Sequence, residues 1–184
     1  MKKFWLIALG VIVAIGLYLV GFYNNLVIAR EKVDNQWAQV QTAYQRRFDL
    51  IPNLVETVKG VAKQEQQVFG DIADARTRYA GAQTPESKVA AANQLESGLS
   101  RLLVIVENYP QLKSSESYQT LMAQLEGTEN RINVERQRFN DAVRDYNLAI
   151  KRFPGSILAG GFGFTERAYF EAAQPAQTAP AVKF

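Results

Sequence analysis

The residues of this chain that could do chemistry are carboxylates and arginines. Glu126, Glu129, Arg131, Glu135 and Arg136 lie in one stretch and Arg46, Arg47 and Asp49 in another, with Glu65 and Arg76 near the same apolar stripe as Arg47. Glutamates spaced along a helix could offer oxygen ligands to a hard divalent cation. Arginines interspersed among them repel a cation. The same residues therefore read first as an interhelical ion-pair layer that fixes register. Surface pairs such as Glu135 with Arg138 read as solvated helix pairs. No catalytic, cofactor-binding or metal-ligating residue is assigned.

Composition narrows the chemistry further. The 184 residues contain no cysteine and no histidine. Thiol nucleophiles, zinc–thiolate sites and disulfide frameworks are excluded, and the commonest general base and transition-metal ligand is absent. The paired Glu-x-x-His motifs of di-iron carboxylate bundles cannot be written. Net charge is only +3, from 21 basic and 18 acidic residues interleaved along the chain. Nucleic-acid binding wants a basic stripe, so no nucleic-acid partner is expected. Gly160-Gly161-Phe162-Gly163 lacks the Gly-Lys-Ser/Thr ending of a phosphate loop and follows no strand pattern. Its aromatics are expected to pack on the body or to offer a contact surface to another subunit.

The elements that must position these residues are helices. From Phe4 to Ala29 there is no charged side chain, and residues 4–20 are apolar almost throughout. A bilayer core takes about 20 such residues as a helix. Trp5 and Tyr23 sit where amphipathic rings favour the interface. Lys2 and Lys3 would suit the start of a signal peptide, but the apolar run is too long and no small-x-small site follows Val20. Residues 1–24 are read as an uncleaved, single-pass anchor. The positive-inside count leans slightly towards an extracytoplasmic body. Gly10 and Ala14 form a small-xxx-small pair, weak support for self-association.

The body, residues 25–153, carries three helical patterns. In the first, from about 25 to 80, Val33, Trp37, Val40, Tyr44, Phe48, Ile51, Val55, Val58, Ala62, Phe69, Ile72 and Tyr79 recur in steps that keep one helical face. Pro52 predicts a kink, because its ring removes one backbone donor and clashes with the carbonyl four residues back. Gly60 loosens the helix again. Nothing breaks the pattern between the anchor and Val33. The second helix opens at Thr84-Pro85-Glu86 (cap, first-turn proline, acid at the positive end). Its stripe is Val89, Ala92, Leu95, Leu99, Leu102, Leu103 and Val106, and Pro110 ends it. Ser114 or Ser115 caps the third, from about 116 to 152, with Tyr118, Leu121, Met122, Leu125, Ile132, Phe139, Val143, Tyr146, Ile150 and Phe153 on its stripe. Short connections favour antiparallel neighbours. The expectation is all-α: an anchor followed by an elongated antiparallel three-helix bundle of coiled-coil character. A Gly/aromatic segment (154–171) and a disordered Ala/Gln/Pro tail (172–184) follow.

Several stretches in order carry a resemblance: Arg30-Glu31-Lys32-Val33-Asp34-Asn35-Gln36-Trp37, all of residues 46–60, Glu107-Asn108-Tyr109-Pro110-Gln111-Leu112-Lys113, Glu126-Gly127-Thr128-Glu129-Asn130-Arg131-Ile132, Phe139-Asn140-Asp141-Ala142-Val143-Arg144-Asp145-Tyr146-Asn147, Phe153-Pro154-Gly155 and Gly163-Phe164. Through them the chain resembles the LemA family. The resemblance implies a bacterial, membrane-anchored helical bundle without established enzymatic activity, cofactor or catalytic residues. It also implies relatives at the magnetosome membrane. Where the family often carries Tyr and His, this chain reads Val61 and Gln64, so no histidine role carries over. The leading functional expectation is a non-catalytic scaffold in the bacterial cytoplasmic (inner) membrane. Its partners would be the lipid bilayer and further copies of itself or another membrane protein. A stress or signalling adaptor working through a rod bent at Pro52 is the alternative, and a carboxylate-dependent enzyme the third reading.

Overall fold

The computed structural model describes residues 2–60, 62 and 65–170, and every regular element among them is a helix. In chain order these are α1 (Lys2–Lys59), α2 (Gln66–Gly81), α3 (Pro85–Glu107), α4 (Pro110–Lys113), α5 (Glu116–Lys151) and α6 (Gly155–Leu158). The residues sort into two compact units. Among the described residues, one joins 2–39 with 136–169, and the other joins those from 40 to 135 with Phe170.

Helix α1 runs 58 residues without interruption, so the apolar segment and the body share one helix, as the unbroken pattern implies. It holds a window long and apolar enough to cross a membrane, and none of that window is buried. The chain stays helical through Pro52. The expected continuation to residue 80 is corrected: the helix ends at Lys59, and α2 starts afresh at Gln66. Gly60 has the highest conformational entropy to lose in a helix, and its amide donates to the Glu56 carbonyl at 3.3 Å as the helix ends. The first of the three expected helices is therefore two, because folding back buries more than going straight would.

That gain is visible in the second unit. Lys59 lies over the Phe69 ring at 5.3 Å, and Phe48 meets Tyr79 at 4.4 Å between centroids, so α2 returns antiparallel along the end of α1. Helix α3 then packs antiparallel on α2. Arg101 pairs with Asp71 at 3.2 Å, and Arg78 donates to the Gln94 side chain at 3.2 Å. The two backbones approach closely at Gly98, where a Cβ would stand 2.9 Å from Ile72 Cγ1. Ile72, Ala75, Leu95, Leu99, Leu102 and Val106 are buried here.

The expected caps are present in detail. The Thr84 hydroxyl accepts the Ser87 amide at 3.2 Å and the Ser87 hydroxyl accepts the Thr84 amide at 3.2 Å, a reciprocal box in which serine takes the place of the usual glutamate. At the start of α5 the Ser115 hydroxyl accepts the Tyr118 amide at 3.3 Å. The stripe of α5 needs one correction. Phe153 lies beyond the last helical residue and is 81% exposed. A residue before proline is disfavoured in the α conformation, so the periodic pattern overran the helix.

Tyr79 closes the aromatic cluster with Tyr44 and Phe48. Its hydroxyl is buried without a hydrogen-bond partner among the described residues, and burial pushes its pKa from 10.0 up to about 12. The folded state therefore keeps this proton where the unfolded chain has lost it. Stability is full below pH 10 and falls as pH rises towards 12. Tyr79→Phe is expected to flatten that alkaline decline in urea titrations, at no loss of stability near pH 7, since the unpartnered hydroxyl is removed.

Val61 and Gln64 and the tail from residue 171, including the segment expected to be disordered, lie outside the described residues.

Candidate functional site

Two groups of polar side chains are built into the helices, one in each unit. In the second unit Arg47, on the buried face of α1, reaches Glu129 of α5 as an ion pair between helices. Arg47 is 9% exposed, and the Glu129 side chain is 37% exposed. Nearly two turns further along α5, Glu135 is buried to 1% exposure and takes Arg131 Nε at 2.8 Å, a pair within the helix. A buried carboxylate without a cation would be far too costly, so Arg131 arches over it from a largely exposed position.

Arg46, Asp49 and Glu126 stand apart from this group. They are exposed, and Asp49 takes the Gln45 amide at 2.9 Å. Arg46, Asp49, Gln124 and Arg131 line a shallow groove between α1 and α5. Among the described residues no three acidic side chains converge where they could share a metal ion. Glu65 and Arg76 are half-buried. Of the expected interhelical layer, Arg47 with Glu129 is a pair that joins α1 to α5.

The first unit holds a clamp that the sequence reading did not anticipate. Here α1 and α5 run antiparallel, with Trp37 on Phe139 at 5.4 Å and Lys32 near Asp145 at 3.8 Å. After α5 the chain turns sharply. A Cβ on Gly155 would collide with the Ala149 carbonyl oxygen and stand 2.8 Å from that of Ile150. Only glycine lets the chain lie against the end of α5 there. Helix α6 follows, and Gly163 takes φ +77°, a left-handed conformation that turns the chain back.

Phe164 is then buried. Its ring lies 5.6 Å from that of Tyr23 and under the Arg30 guanidinium, also at 5.6 Å. Tyr146 donates its hydroxyl to the Thr165 carbonyl at 3.0 Å. Asn147 treats Arg167 as a strand neighbour would: its Nδ2 donates to the Arg167 carbonyl at 2.9 Å and its Oδ1 accepts the Arg167 amide at 2.9 Å. This satisfies two main-chain groups of a segment that belongs to no sheet. The Arg167 side chain reaches back to Asp34 at 3.1 Å, and Lys151 meets Glu166 at 2.8 Å. The last two pairs are exposed, so solvent screens them and they add little to stability. The aromatics of the glycine-rich segment thus pack on α1 of their own chain.

The signal that would have found this clamp is a polar residue on an apolar face. Asn147 follows Val143 by four positions and sits among buried Val143 and Tyr146; Glu135 follows buried Ile132 by three. Asn147→Leu is expected to lower stability by about 1–3 kcal/mol, because it leaves both Arg167 main-chain groups short of a partner. Limited trypsin digestion should then cut after Arg167 much faster than in the unaltered chain, with cleavage within α5 unchanged.

Most of the stretches carrying the resemblance end in these contacts: Arg30, Asp34 and Trp37; Arg47 and Glu129; Phe139, Tyr146 and Asn147; Gly155, Gly163 and Phe164. What they define is a helical protein whose polar side chains hold helices and a returning segment together. The model of the LemA family matches residues 36–184, and the chain belongs to the LemA family. It is similar to magnetosome protein MamQ 2 of Paramagnetospirillum magneticum, 27% identical over 87% of this chain and 68% of that protein. Magnetosome protein MamQ of Magnetospirillum gryphiswaldense is 28% identical over the same shares. Protein LemA of Metamycoplasma hominis is 24% identical over 94% of this chain and 80% of that protein.

Proposed function

We propose that this chain is a non-catalytic, membrane-anchored helical scaffold, in which α1 crosses the bacterial cytoplasmic membrane once and presents the packed body on the extracytoplasmic side. The observation that carries the reading is the single uninterrupted α1, apolar and uncovered in its first part and packed in its second. The fate of the carboxylates supports it too: Glu129 and Glu135 are held by arginines, leaving no free pair poised for acid–base work in the ion-paired layer. Likeness to magnetosome proteins favours a part in organising a membrane, through copies of itself or another membrane protein. A bend of α1 at Pro52, from the clash of its ring with the preceding turn, belongs to the same proposal and sets the direction of the body.

Crosslinking in intact cells tests it. Lysine-reactive reagent should join the chain to itself or to other membrane proteins, and the bands should survive Glu129→Gln. A chain that crosslinks to nothing, with turnover of a small substrate lost on Glu129→Gln, overturns the proposal. A phosphatase fused after Phe184 should be active, and cytoplasmic fluorescence of a fluorescent-protein fusion would reverse the orientation.

A further inference from the structure

We infer that the turn between α5 and the clamped segment is a second lipid-binding element, which lays Phe153 and Ile157 into the headgroup layer beside the anchor. The inference rests on α1 spanning a bilayer. From Phe4 to Tyr23 the chain holds about the 20 residues that a hydrocarbon core requires, and Asn24-Asn25 are the first consecutive polar residues after them. Tyr23 therefore sits at the membrane–water boundary, the place its ring favours.

The turn is fixed to that boundary. Phe162 meets Tyr23 edge to face at 5.5 Å, and buried Phe164 holds the same ring from another side. Whatever depth Tyr23 takes, the turn must share. Two of its apolar side chains, Phe153 and Ile157, have no cover among the described residues. Phe153 is 81% exposed and Ile157 is 71% exposed, and they flank a turn packed rigidly on α5 through Gly155. Large apolar side chains gathered on one rigid exposed turn signal a contact surface. Here the contact is lipid, because the turn is held against the end of the span, where headgroups are the neighbouring phase. Arg152, exposed and next to Phe153, adds a guanidinium at the depth of lipid phosphates, an arrangement typical of interfacial elements. The clamp then gains a purpose: by tying the turn to α1 it makes one membrane foot from a helix and a loop far apart in sequence.

The absence of native cysteine allows a clean test on the full chain. Single substitutions Phe153→Cys, Ile157→Cys, Val11→Cys and Gln137→Cys are labelled with a polarity-sensitive fluorophore. The proteins are reconstituted in vesicles of phosphatidylcholine and phosphatidylglycerol that carry either shallow or deep lipid-borne quenchers. The label at 11 should respond to the deep quencher and the label at 137 to neither. Labels at 153 and 157 should be quenched several-fold more by the shallow quencher than the label at 137. If 11 is quenched but 153 and 157 behave like 137, the lipid-binding turn is wrong and the anchor stands. If 153 and 157 are dry yet insensitive to both lipid quenchers, protein covers them and the inference is overturned. A water-exposed label at 11 overturns the anchor and the inference together.

Discussion

Arg47→Ala is expected to lower the stability of the chain by about 2–4 kcal/mol. Removing one partner of a fully buried ion pair costs about 3–5 kcal/mol, because the other charge is left without compensation. Arg47 is nearly fully buried, but the Glu129 side chain is 37% exposed, so water recovers part of that loss and the expected effect shifts about 1 kcal/mol below the fully buried range. The aliphatic stem of Arg47 also leaves a gap between buried Ala43, Tyr44 and Ile51. Chemical denaturation followed by circular dichroism measures the effect. The double variant Arg47→Met, Glu129→Leu should recover most of the lost stability, since an apolar pair of similar volume often matches a buried ionic one. If the double variant also loses its defined assembly state, the pair sets register as well as stability.

Gly155→Val should be the most disruptive change in the first unit, by about 3 kcal/mol or more. A Cβ at this position overlaps the carbonyl of Ala149 and crowds that of Ile150. Both are main-chain atoms at the end of α5, where no side chain can swing aside. Overpacking costs about 1–3 kcal/mol where neighbours can yield, and here the backbone must move instead. The turn should lift from α5, taking Phe164 from its place between Tyr23 and Arg30. Hydrogen exchange would report this as lost protection at Phe164 and Arg167, with α2 and α3 unchanged. Gly163→Val acts through backbone conformation instead, since φ +77° is strained for any β-branched residue, and should release the same segment.

The elements with local punctuation were legible in the sequence. Thr84-Pro85 and Ser115 start helices where the residues themselves supply the missing hydrogen bonds, and the apolar run of the anchor is its own signal. The break after Lys59 was legible only in part, as a loosening at Gly60. Val58, Ala62, Phe69 and Ile72 keep helical spacing across it, and only the meeting of Phe69 and Tyr79 with the far side of α1 makes folding back favourable. That information is tertiary. Phe153 shows the opposite failure: periodicity ran on past a proline that had already ended the helix. In the candidate site, the charge-rich block around Arg47 pointed to ion pairing, and one interhelical pair is present. The clamp escaped notice because Asn147 and Arg167 are 20 positions apart and neither carries a recognisable motif. The visible clue was a polar amide on an otherwise apolar stripe.

Together these features describe a chain whose polar residues are spent on holding helices and a returning segment in place. Exposed apolar side chains crowd the first part of α1, and Phe153 and Ile157 stand exposed on the turn after α5. On the proposed reading, function lies in what the body brings together at a membrane. Native mass spectrometry of the full chain, released from membranes in mild detergent, tests this most directly. The scaffold predicts defined species heavier than the 20.6 kDa chain, as multiples of it or with a bound membrane protein. A 20.6 kDa monomer alone, at concentrations matching those in the membrane, would contradict it.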